Sequence, residues 1–128
     1  MISRNKPKGR FAEVHAAAFL RRQGYSLLAR NYAYRGGELD LVAKDPDGEI
    51  VFVEVKSSWG ANFGLPESRV TEAKQGKMWR TACHYLYATS ATECNCRFDV
   101  IALDCLGEHF EIRHFKNAFV APTTIPEC

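Results

Sequence analysis

Two carboxylates and a lysine lie in neighbouring apolar segments, at a spacing that could bring them together around a divalent metal ion. Glu54 and Lys56 alternate within the apolar run IVFVEVK of residues 50–56, so a β-strand would place both side chains on one face. Asp40 lies in the preceding apolar segment, and neither segment contains a histidine. Hard oxygen ligands of this kind select Mg²⁺ or Mn²⁺ rather than zinc.

The segments that carry these residues are expected to form a β-hairpin. Residues 38–44 and 49–57 are predicted strands, and the sequence DPDG between them is typical of a turn, because Pro presets φ and Gly accepts a positive one. Paired residues in a hairpin have numbers of constant sum. A sum of 94 places Asp40 opposite Glu54, a sum of 92 places Glu38 there, and an odd sum puts Asp40 and Glu54 on different faces. The turn permits either parity, so the register stays open.

An even register would bring carboxylates side by side, where their charges repel. A cation between them removes that repulsion, and Lys56 supplies one positive charge on the same face while a divalent ion supplies two. Glu13 is the only acid among the first 37 residues, and it lies on a predicted helix with apolar and small neighbours. A glutamate that faces solvent is common on a helix. Taken together, however, Glu13, Asp40, Glu54 and Lys56 would supply carboxylates and an amine at one place.

The strand that carries Glu54 is expected to lie in the middle of the sheet. One of its faces is apolar throughout, at Val51, Val53 and Val55. The other face begins apolar and ends with Glu54 and Lys56. We therefore expect the first half of this strand to lie in the core and its far end to open into a cleft.

The remaining segments predict an α/β sandwich around a mixed sheet, in the order α-β-β-β-α-β-β. A helix over residues 71–88 follows the middle strand and precedes another strand, and a strand–helix–strand unit requires a right-handed crossover and a parallel pair. The other predicted elements are a helix over residues 11–23, strands over residues 25–34, 97–103 and 109–115, and a helical turn over residues 116–119.

Length and composition indicate one globular domain. The 128 residues are 46% hydrophobic and 25% charged, and no apolar run approaches the roughly 18 residues that a membrane helix needs. The basic N-terminus lacks the apolar run of a secretory signal, so the cytoplasm is the expected location. We expect a flexible basic arm over residues 1–8, one domain over residues 9–120 and a loose tail over residues 121–128.

Charges are distributed unevenly along the chain. Residues 1–37 hold eight lysines and arginines and a single acid. Residues 38–128 hold nine lysines and arginines and fourteen acids. A basic leading segment can meet a polyanion such as nucleic acid, although a solvated arm would have the same composition. Lys74, Lys77 and Arg80 follow helical spacing and could line the same cleft, but a solvated helix face is favoured.

The cysteines suggest a zinc site only weakly. There are five, an odd number in a chain without a secretion signal, so reduced thiols are expected. Incidental thiols are favoured over a metal site, because the spacing of Cys94 and Cys96 differs from that of a zinc knuckle. The side chains that could form such a site are Cys83, His84, Cys94 and Cys96.

Two tryptophans could stack on nucleic-acid bases. For Trp59 and Trp79, packing in the core or anchoring of a loop is favoured over stacking. Arg97 and Asp99 share a strand face, and a structural ion pair is expected between them. No role is assigned to any histidine.

The residues above resemble a known nuclease signature. Asp40 followed by EVK at residues 54–56 resembles the PD-(D/E)xK motif of the restriction-endonuclease-like superfamily. The wider series, from about residue 9 to residue 119, resembles the bacterial YraN family of uncharacterised, endonuclease-related proteins, and the layout is similar to archaeal Holliday-junction resolvases, where a helix glutamate joins the strand triad. The matching segments are GRFAE at 9–13, NY at 31–32, GELDLV at 37–42, FVEVK at 52–56, FG at 63–64, Lys74, RFDV at 97–100 and NAF at 117–119.

The resemblance implies a three-layer, restriction-endonuclease-like sandwich. It also implies a Mg²⁺- or Mn²⁺-dependent endonuclease that hydrolyses phosphodiester bonds in DNA, with branched or damaged DNA as candidate substrates. A nucleic-acid-binding protein of the same fold with weak catalysis is the alternative. The implied catalytic residues are Glu13, Asp40, Glu54 and Lys56. Lys56 would orient the attacking water, and Glu38 would lie behind the metal ligands. The implied ligands are Asp40, Glu54, Glu13 and Val55, the last through its backbone carbonyl.

Basic residues are the candidates for binding nucleic acid. Phosphate contacts supply affinity rather than sequence choice and weaken with salt. Resolvase-like relatives act as dimers, so a homodimer is expected by analogy alone. The chain departs from the family at Ser57 and Ser58, where most relatives have Thr-Arg, and this removes an arginine that could contact phosphate near the site. The candidates are Arg4, Lys6, Lys8, Arg10, Arg30, Arg35 and Lys74.

Overall fold

The elements of the protein follow the predicted order. A computed structural model describes residues 7–59 and 70–120, with side chains described from Gly9 onward. Most of the arm predicted over residues 1–8, and the tail predicted over residues 121–128, therefore lie outside the described residues. The order α-β-β-β-α-β-β is the one predicted from the sequence. The elements are α1 (Pro7–Arg22), β1 (Ser26–Tyr34), β2 (Gly37–Lys44), β3 (Ile50–Trp59), α2 (Glu72–Ala88), β4 (Cys96–Leu106) and β5 (His109–Phe119).

The described strands form one mixed sheet in the order β1-β2-β3-β4-β5, with β3 in the middle. The β3–β4 pair is parallel, whereas the other neighbouring strands are antiparallel. A parallel pair requires a crossover connection, and α2 lies in that connection. The mixed sheet and the strand–helix–strand unit predicted from the sequence are therefore confirmed.

Both faces of β3 are buried, each under one helix. Val51, Val53 and Val55 share a core with alanines of α1. On the opposite face, Phe52 shares a core with Met78 and other residues of α2. A strand covered on both faces must be apolar at nearly every position, because burial of apolar area on each side stabilises the layers. Helix, sheet and helix thus form the expected three layers.

The turn between β2 and β3 fixes their register. The Asp45 carboxylate accepts the N–H groups of Asp47 and Glu49, each at 2.9 Å, and Gly48 has a φ of +92°. The pairs run from Lys44–Ile50 to Leu41–Val53, with a constant sum of 94. Of the registers considered, the even one that places Asp40 across from Glu54 is therefore confirmed.

The two described helices match the prediction except at the start of α1. Thr71 caps α2, because its side chain accepts the N–H of Lys74 at 3.2 Å. α1 begins at Pro7 rather than at residue 11, and proline fits a first helical turn because its missing N–H would find no helical partner there. Neither described helix combines the length and the apolar composition needed to cross a membrane.

The end of β5 differs from the prediction. Residues 116–119 continue the strand, so the predicted helical turn is wrong. The register against β4 shifts at Phe98, and Asn117 takes a φ of +53° while its N–H donates to Asp99 at 3.0 Å. A bulge therefore supplies the local bend. Phe119 then stacks on Phe98 with ring centroids 4.8 Å apart, which holds the strand end against the sheet.

Candidate active site

Asp40 joins β2 to β3 at the point where their backbone pairing ends. The last paired residues are Leu41 and Val53. Beyond them the Asp40 carboxylate, which is fully buried, accepts the N–H of Val55 at 2.7 Å. This bond replaces a backbone partner that β2 would otherwise supply, and it holds the carboxylate in one orientation between the strands.

Glu54 lies on the α2 side of β3 and contacts two lysines. Its carboxylate is 1% exposed, and its Oε2 atom accepts a hydrogen bond from Nζ of Lys74. The Nζ atom of Lys56 lies 3.4 Å from the same oxygen. Lys74 comes from the first turn of α2, which Thr71 caps. One buried carboxylate is therefore held by two ammonium groups, and the local charge of the trio is positive.

The environment of Lys56 changes its acidity. Burial lowers the pKa of this amine below its ordinary value. The charge of Glu54 opposes that change, whereas the neighbouring charge of Lys74 reinforces it. A lysine with a lowered pKa releases its proton more readily than a solvated one, so it suits proton handling next to a reacting water.

A cleft of about 360 Å³ opens beside Lys74. Gly37, at the start of β2, approaches α2 so closely that an added Cβ would lie 2.9 Å from the Lys77 carbonyl oxygen and against the Thr81 side chain. Glu38 lines the cleft rather than facing Glu54, as the register of 94 requires. The cleft is lined by Gly36, Gly37, Glu38, Thr71, Ala73, Lys74, Lys77 and Met78.

The carboxylates suit a divalent metal ion by type but do not form a complete set of ligands. Asp40 and Glu54 offer buried oxygens on neighbouring strands, which are the donors that Mg²⁺ and Mn²⁺ prefer. Among the residues that the structure describes, no three His, Cys, Asp or Glu side chains are grouped so that they could hold a metal ion. Glu13 therefore does not complete such a group with the other two acids.

Glu13 is nevertheless not a solvated helix residue. It is 3% exposed and lies among buried alanines of α1. Phe11, one half-turn earlier, contacts Trp59 at the end of β3. The start of α1 thus lies at the same end of the sheet as Lys56, but on the face opposite α2. Burial of a carboxylate costs free energy, so Glu13 does not serve solubility as an exposed helix glutamate would.

The candidates for binding nucleic acid are spread over several elements. Arg10 on α1, Arg30 on β1 and Arg35 in the turn after β1 are exposed. Lys74, which is predicted to contact phosphate, pairs with Glu54. Its position in the sequence does not indicate this acidic partner. Arg4 and Lys6 lie outside the described residues, as does the side chain of Lys8.

The alternative zinc site is absent from the described part of the chain. Nδ1 of His84 is hydrogen-bonded to the Tyr32 hydroxyl at 2.6 Å, and the His84 ring stacks on Tyr34 at 3.8 Å. Cys83 is buried, whereas Cys94 is exposed. His84 thus joins β1 to α2, a structural role that its sequence context did not indicate.

Arg97 organises the end of the sheet away from the lysines. Its guanidinium donates to Asp99 at 3.0 Å, to Asp45 at 2.6 Å and to the Tyr25 hydroxyl at 2.8 Å. The ion pair predicted between Arg97 and Asp99 is therefore confirmed. His114 also donates to Asp99, at 2.7 Å, an interaction that sequence analysis missed. The cluster ties the β2–β3 turn to β4 and β5, so its role is structural.

Comparison with known proteins places this chain in a family. The model described as "Uncharacterised protein family UPF0102" matches residues 12–103. The chain belongs to this family. A UPF0102 protein of Trichlorobacter lovleyi is 43% identical over 116 residues, covering 90% of this chain and 91% of the relative. A UPF0102 protein of Cupriavidus necator is 50% identical over 97 residues, covering 76% of this chain and 73% of the relative. The resemblance to the YraN family, which is UPF0102, is confirmed.

Solved structures similar to this UPF0102 chain are more distant. A repair endonuclease from Pyrococcus abyssi has a TM-score of 0.43 at 18% identity and is matched over 84% of this chain and 42% of its own. EndoMS in complex with double-stranded DNA has a TM-score of 0.37 at 15% identity, and the match covers 68% of this chain and 34% of the EndoMS chain. The chain spans less than half of either protein. Likenesses at this level carry no inference about activity, so the function must be argued from the site.

Proposed function

We propose that this UPF0102 protein is an endonuclease that depends on Mg²⁺ or Mn²⁺ and hydrolyses phosphodiester bonds in DNA. The observation that carries the proposal is the arrangement of Asp40 and Glu54 on neighbouring strands with Lys56 and Lys74 beside them. Phosphodiester hydrolysis requires positive charge at the phosphate, a positioned water and a group that handles its proton. The four side chains offer these groups close together, and Lys74 also lines the neighbouring cleft.

Asp40, Glu54 and the Val55 backbone carbonyl are the proposed metal ligands, and Glu13 on α1 would contact the ion through a water molecule. A bound divalent ion would lower the pKa of a coordinated water and neutralise charge at phosphorus. Asp40 already fixes the Val55 peptide through its hydrogen bond, so the two neighbouring ligands would be oriented together. Glu38 in the cleft wall would support this arrangement from behind.

The lysines have separate proposed roles. Lys56, with its lowered pKa, would orient the attacking water and accept or return a proton. Lys74 would contact a phosphate oxygen at the mouth of the cleft, because its amine reaches the site while a third of its side chain stays exposed. Both amines also contact the Glu54 carboxylate before the substrate arrives.

Binding would come mainly from the basic leading third of the chain. Such contacts fix the position of a nucleic acid without selecting sequence. A homodimer of the kind found among resolvases, branched or damaged DNA as the substrate, and a cytoplasmic location are proposals by analogy or by composition. The residues proposed to contact phosphates are Arg4, Lys6, Lys8, Arg10, Arg30 and Arg35.

A second candidate function is nucleic-acid binding with little catalysis. It is favoured by one observation, namely that the described residues contain no ready group of three metal-binding side chains. In that case the lysine–carboxylate trio would be a structural and phosphate-binding feature alone.

Cleavage of a panel of DNA and RNA substrates with Mg²⁺ or Mn²⁺ tests the proposal. We compare the wild type with Asp40→Asn and with the matched control Asp47→Asn, an exposed aspartate in the β2–β3 turn. We expect cleavage that Asp40→Asn abolishes and Asp47→Asn retains. Salt-sensitive binding without cleavage in all three proteins would favour the second function, and neither binding nor cleavage would reject both.

Thermal melting provides a readout of the metal site that is independent of substrate. Mn²⁺ is expected to raise the melting temperature of the wild type and of Asp47→Asn, but not that of Asp40→Asn. An equal rise in Asp40→Asn would place the ion elsewhere.

A further inference from the structure

A cluster of partly exposed aromatic rings lies at the end of β3. Phe11, Trp59 and Phe110 are 36%, 42% and 37% exposed, and His15 joins them. The ring centroid of Phe11 is 5.8 Å from that of Trp59 and 5.7 Å from that of Phe110. His15 lies 4.6 Å from Phe110. We call these four residues the aromatic patch.

The aromatic patch lies just beyond the candidate active site. Trp59 follows Lys56 by three residues on β3, roughly 10 Å along a strand. Cys105 pairs with Trp59 on one side and with Phe110 on the other, so the two rings flank one strand. Lys56 and Trp59 lie on opposite faces of β3, because Trp59 contacts Phe11 of α1, so a chain molecule held at Lys56 would pass round the end of the strand to reach the patch.

Exposure distinguishes Trp59 from the other tryptophan. Trp79 is 8% exposed and contacts Phe98 in the core, so the packing role favoured for it is confirmed. Trp59 leaves much of its indole at the surface, beside two further half-exposed phenylalanines. Exposed aromatic clusters of this kind mark interaction sites, because the rings lose water contact when a partner covers them.

The charge around the aromatic patch favours a nucleic acid as that partner. Arg10, next to Phe11 on α1, is exposed, and the leading segment that ends there is strongly basic. Glu111 pairs with Asp104 on the other face of the sheet from Phe110. Aromatic rings beside basic groups bind single-stranded nucleic acid, since every base presents a flat face and every nucleotide a phosphate.

We propose that the aromatic patch stacks on unpaired bases of a nucleic acid that passes round the end of β3 from the scissile phosphate, so that the preferred substrate carries single-stranded or unstacked nucleotides there. This inference rests on the proposed nuclease function for the position of the scissile bond. It identifies the substrate class as DNA with a single-stranded segment, rather than continuous duplex.

Tryptophan fluorescence tests the contact directly. In the Trp79→Phe variant Trp59 is the remaining tryptophan, because the chain has two. Short oligo(dT), which has no base pairs, is expected to quench this emission, whereas a fully paired hairpin of equal length quenches it much less. Binding of oligo(dT), seen by fluorescence anisotropy of a labelled strand, without any change in Trp59 emission would overturn the proposal.

Affinity measurements provide the second test and do not depend on Trp79→Phe folding. Trp59→Leu is expected to weaken oligo(dT) binding by about 5- to 150-fold, the range for loss of one stacked base. The matched control is Tyr87→Leu, which removes a 58% exposed aromatic side chain from α2 and should leave binding unchanged. Equal affinity of the wild type and Trp59→Leu would overturn the proposal.

A further outcome concerns a different occupant of the aromatic patch. A concentration-dependent change in Trp59 emission without nucleic acid, together with a dimer mass that Trp59→Leu reduces to that of a monomer, would assign the patch to an interface between two copies. That result would also overturn the proposal.

Asp40→Asn separates this inference from the proposed nuclease function. If the inference holds, oligo(dT) quenches the tryptophan emission of Asp40→Asn as much as that of the wild type. This result is expected whether or not the wild type cleaves DNA. Quenching without any cleavage by the wild type would reject the nuclease proposal and retain base stacking. Cleavage by the wild type without quenching would retain the nuclease proposal and reject base stacking.

Discussion

Lys74 on α2 and Glu54 on β3 form an ion pair across 20 residues of sequence, at a carboxylate that is 1% exposed. Lys56 lies 3.4 Å from the same oxygen, so the pair is part of a trio with a positive net charge. Helix α2 is therefore not only a cover for the sheet, since its first turn delivers a charged group to the end of β3. This relationship links the crossover helix to any chemistry that Glu54 performs.

Replacing Lys74 should lower stability and change the response to metal. Lys74→Ala leaves Glu54 with one amine fewer, and we expect a loss of about 1–2 kcal/mol, at the low end for a charged hydrogen bond because Lys74 is partly exposed. Urea unfolding measures the loss. The Mn²⁺-dependent rise in melting temperature should increase, because one competing cation is gone.

Lys77→Ala is the control for this prediction, since Lys77 lines the same cleft and is exposed. Its stability should change by less than about 0.5 kcal/mol. Equal losses for the two variants would show that the ion pair contributes nothing specific.

Replacement of two glycines near the cleft by alanine should change the stability of the fold in opposite directions. Gly37→Ala places a Cβ 2.9 Å from the Lys77 carbonyl oxygen, and we expect a loss of about 1–3 kcal/mol because backbone must move. Gly76 lies within α2 with no atom near an added Cβ, so Gly76→Ala should gain about 0.5–1 kcal/mol from helix propensity. Chemical denaturation compares the two, and equal changes would contradict the close approach of β2 to α2.

Asp45 should make stability depend on acid. Burial raises the pKa of Asp45, but hydrogen bonds from the Glu49 and Asp47 N–H groups and from Arg97 outweigh it, so the pKa lies below the ordinary value of 3.8. The unfolded chain therefore binds this proton more readily than the folded one. The contribution of the ionised carboxylate is present above that value and is lost as the pH falls through the folded pKa.

Asp45→Asn should accordingly flatten the loss of unfolding free energy between about pH 5 and pH 2. Asp47→Asn, on the same turn but exposed, should keep the wild-type slope. Urea titrations at several pH values measure both. A wild-type slope in Asp45→Asn would assign the acid sensitivity to other carboxylates.

Exposed arginines should set the salt dependence of nucleic-acid binding. If Arg10 and Arg35 contact phosphates, each replacement by Gln weakens binding on all sequences and reduces the slope of log affinity against log salt by about one. Arg21→Gln, near the far end of α1, is the control and should leave the slope unchanged. Anisotropy titrations over a salt series give these slopes. An unchanged slope in Arg10→Gln would remove that residue from the binding surface.

The sequence by itself determined the features that depend on local geometry. The alternating valines of β3 required a strand with a buried face, and the DPDG turn required an antiparallel partner at β2. The helical segment between β3 and β4 required a parallel crossover. These rules hold over a few residues or one connection, so they can be applied before the chain is folded.

Only the tertiary structure decided how distant elements meet. The register of 94 depends on the hydrogen bonds that Asp45 makes within its turn, and sequence allowed either parity. Lys74 reaches Glu54 because the first turn of α2 packs over the same face of β3, which no helical spacing reveals. Trp59 stays exposed while Trp79 is buried, although both are tryptophans in regular elements. Packing sums many weak contacts across the whole domain, so side chains of one type find different surroundings.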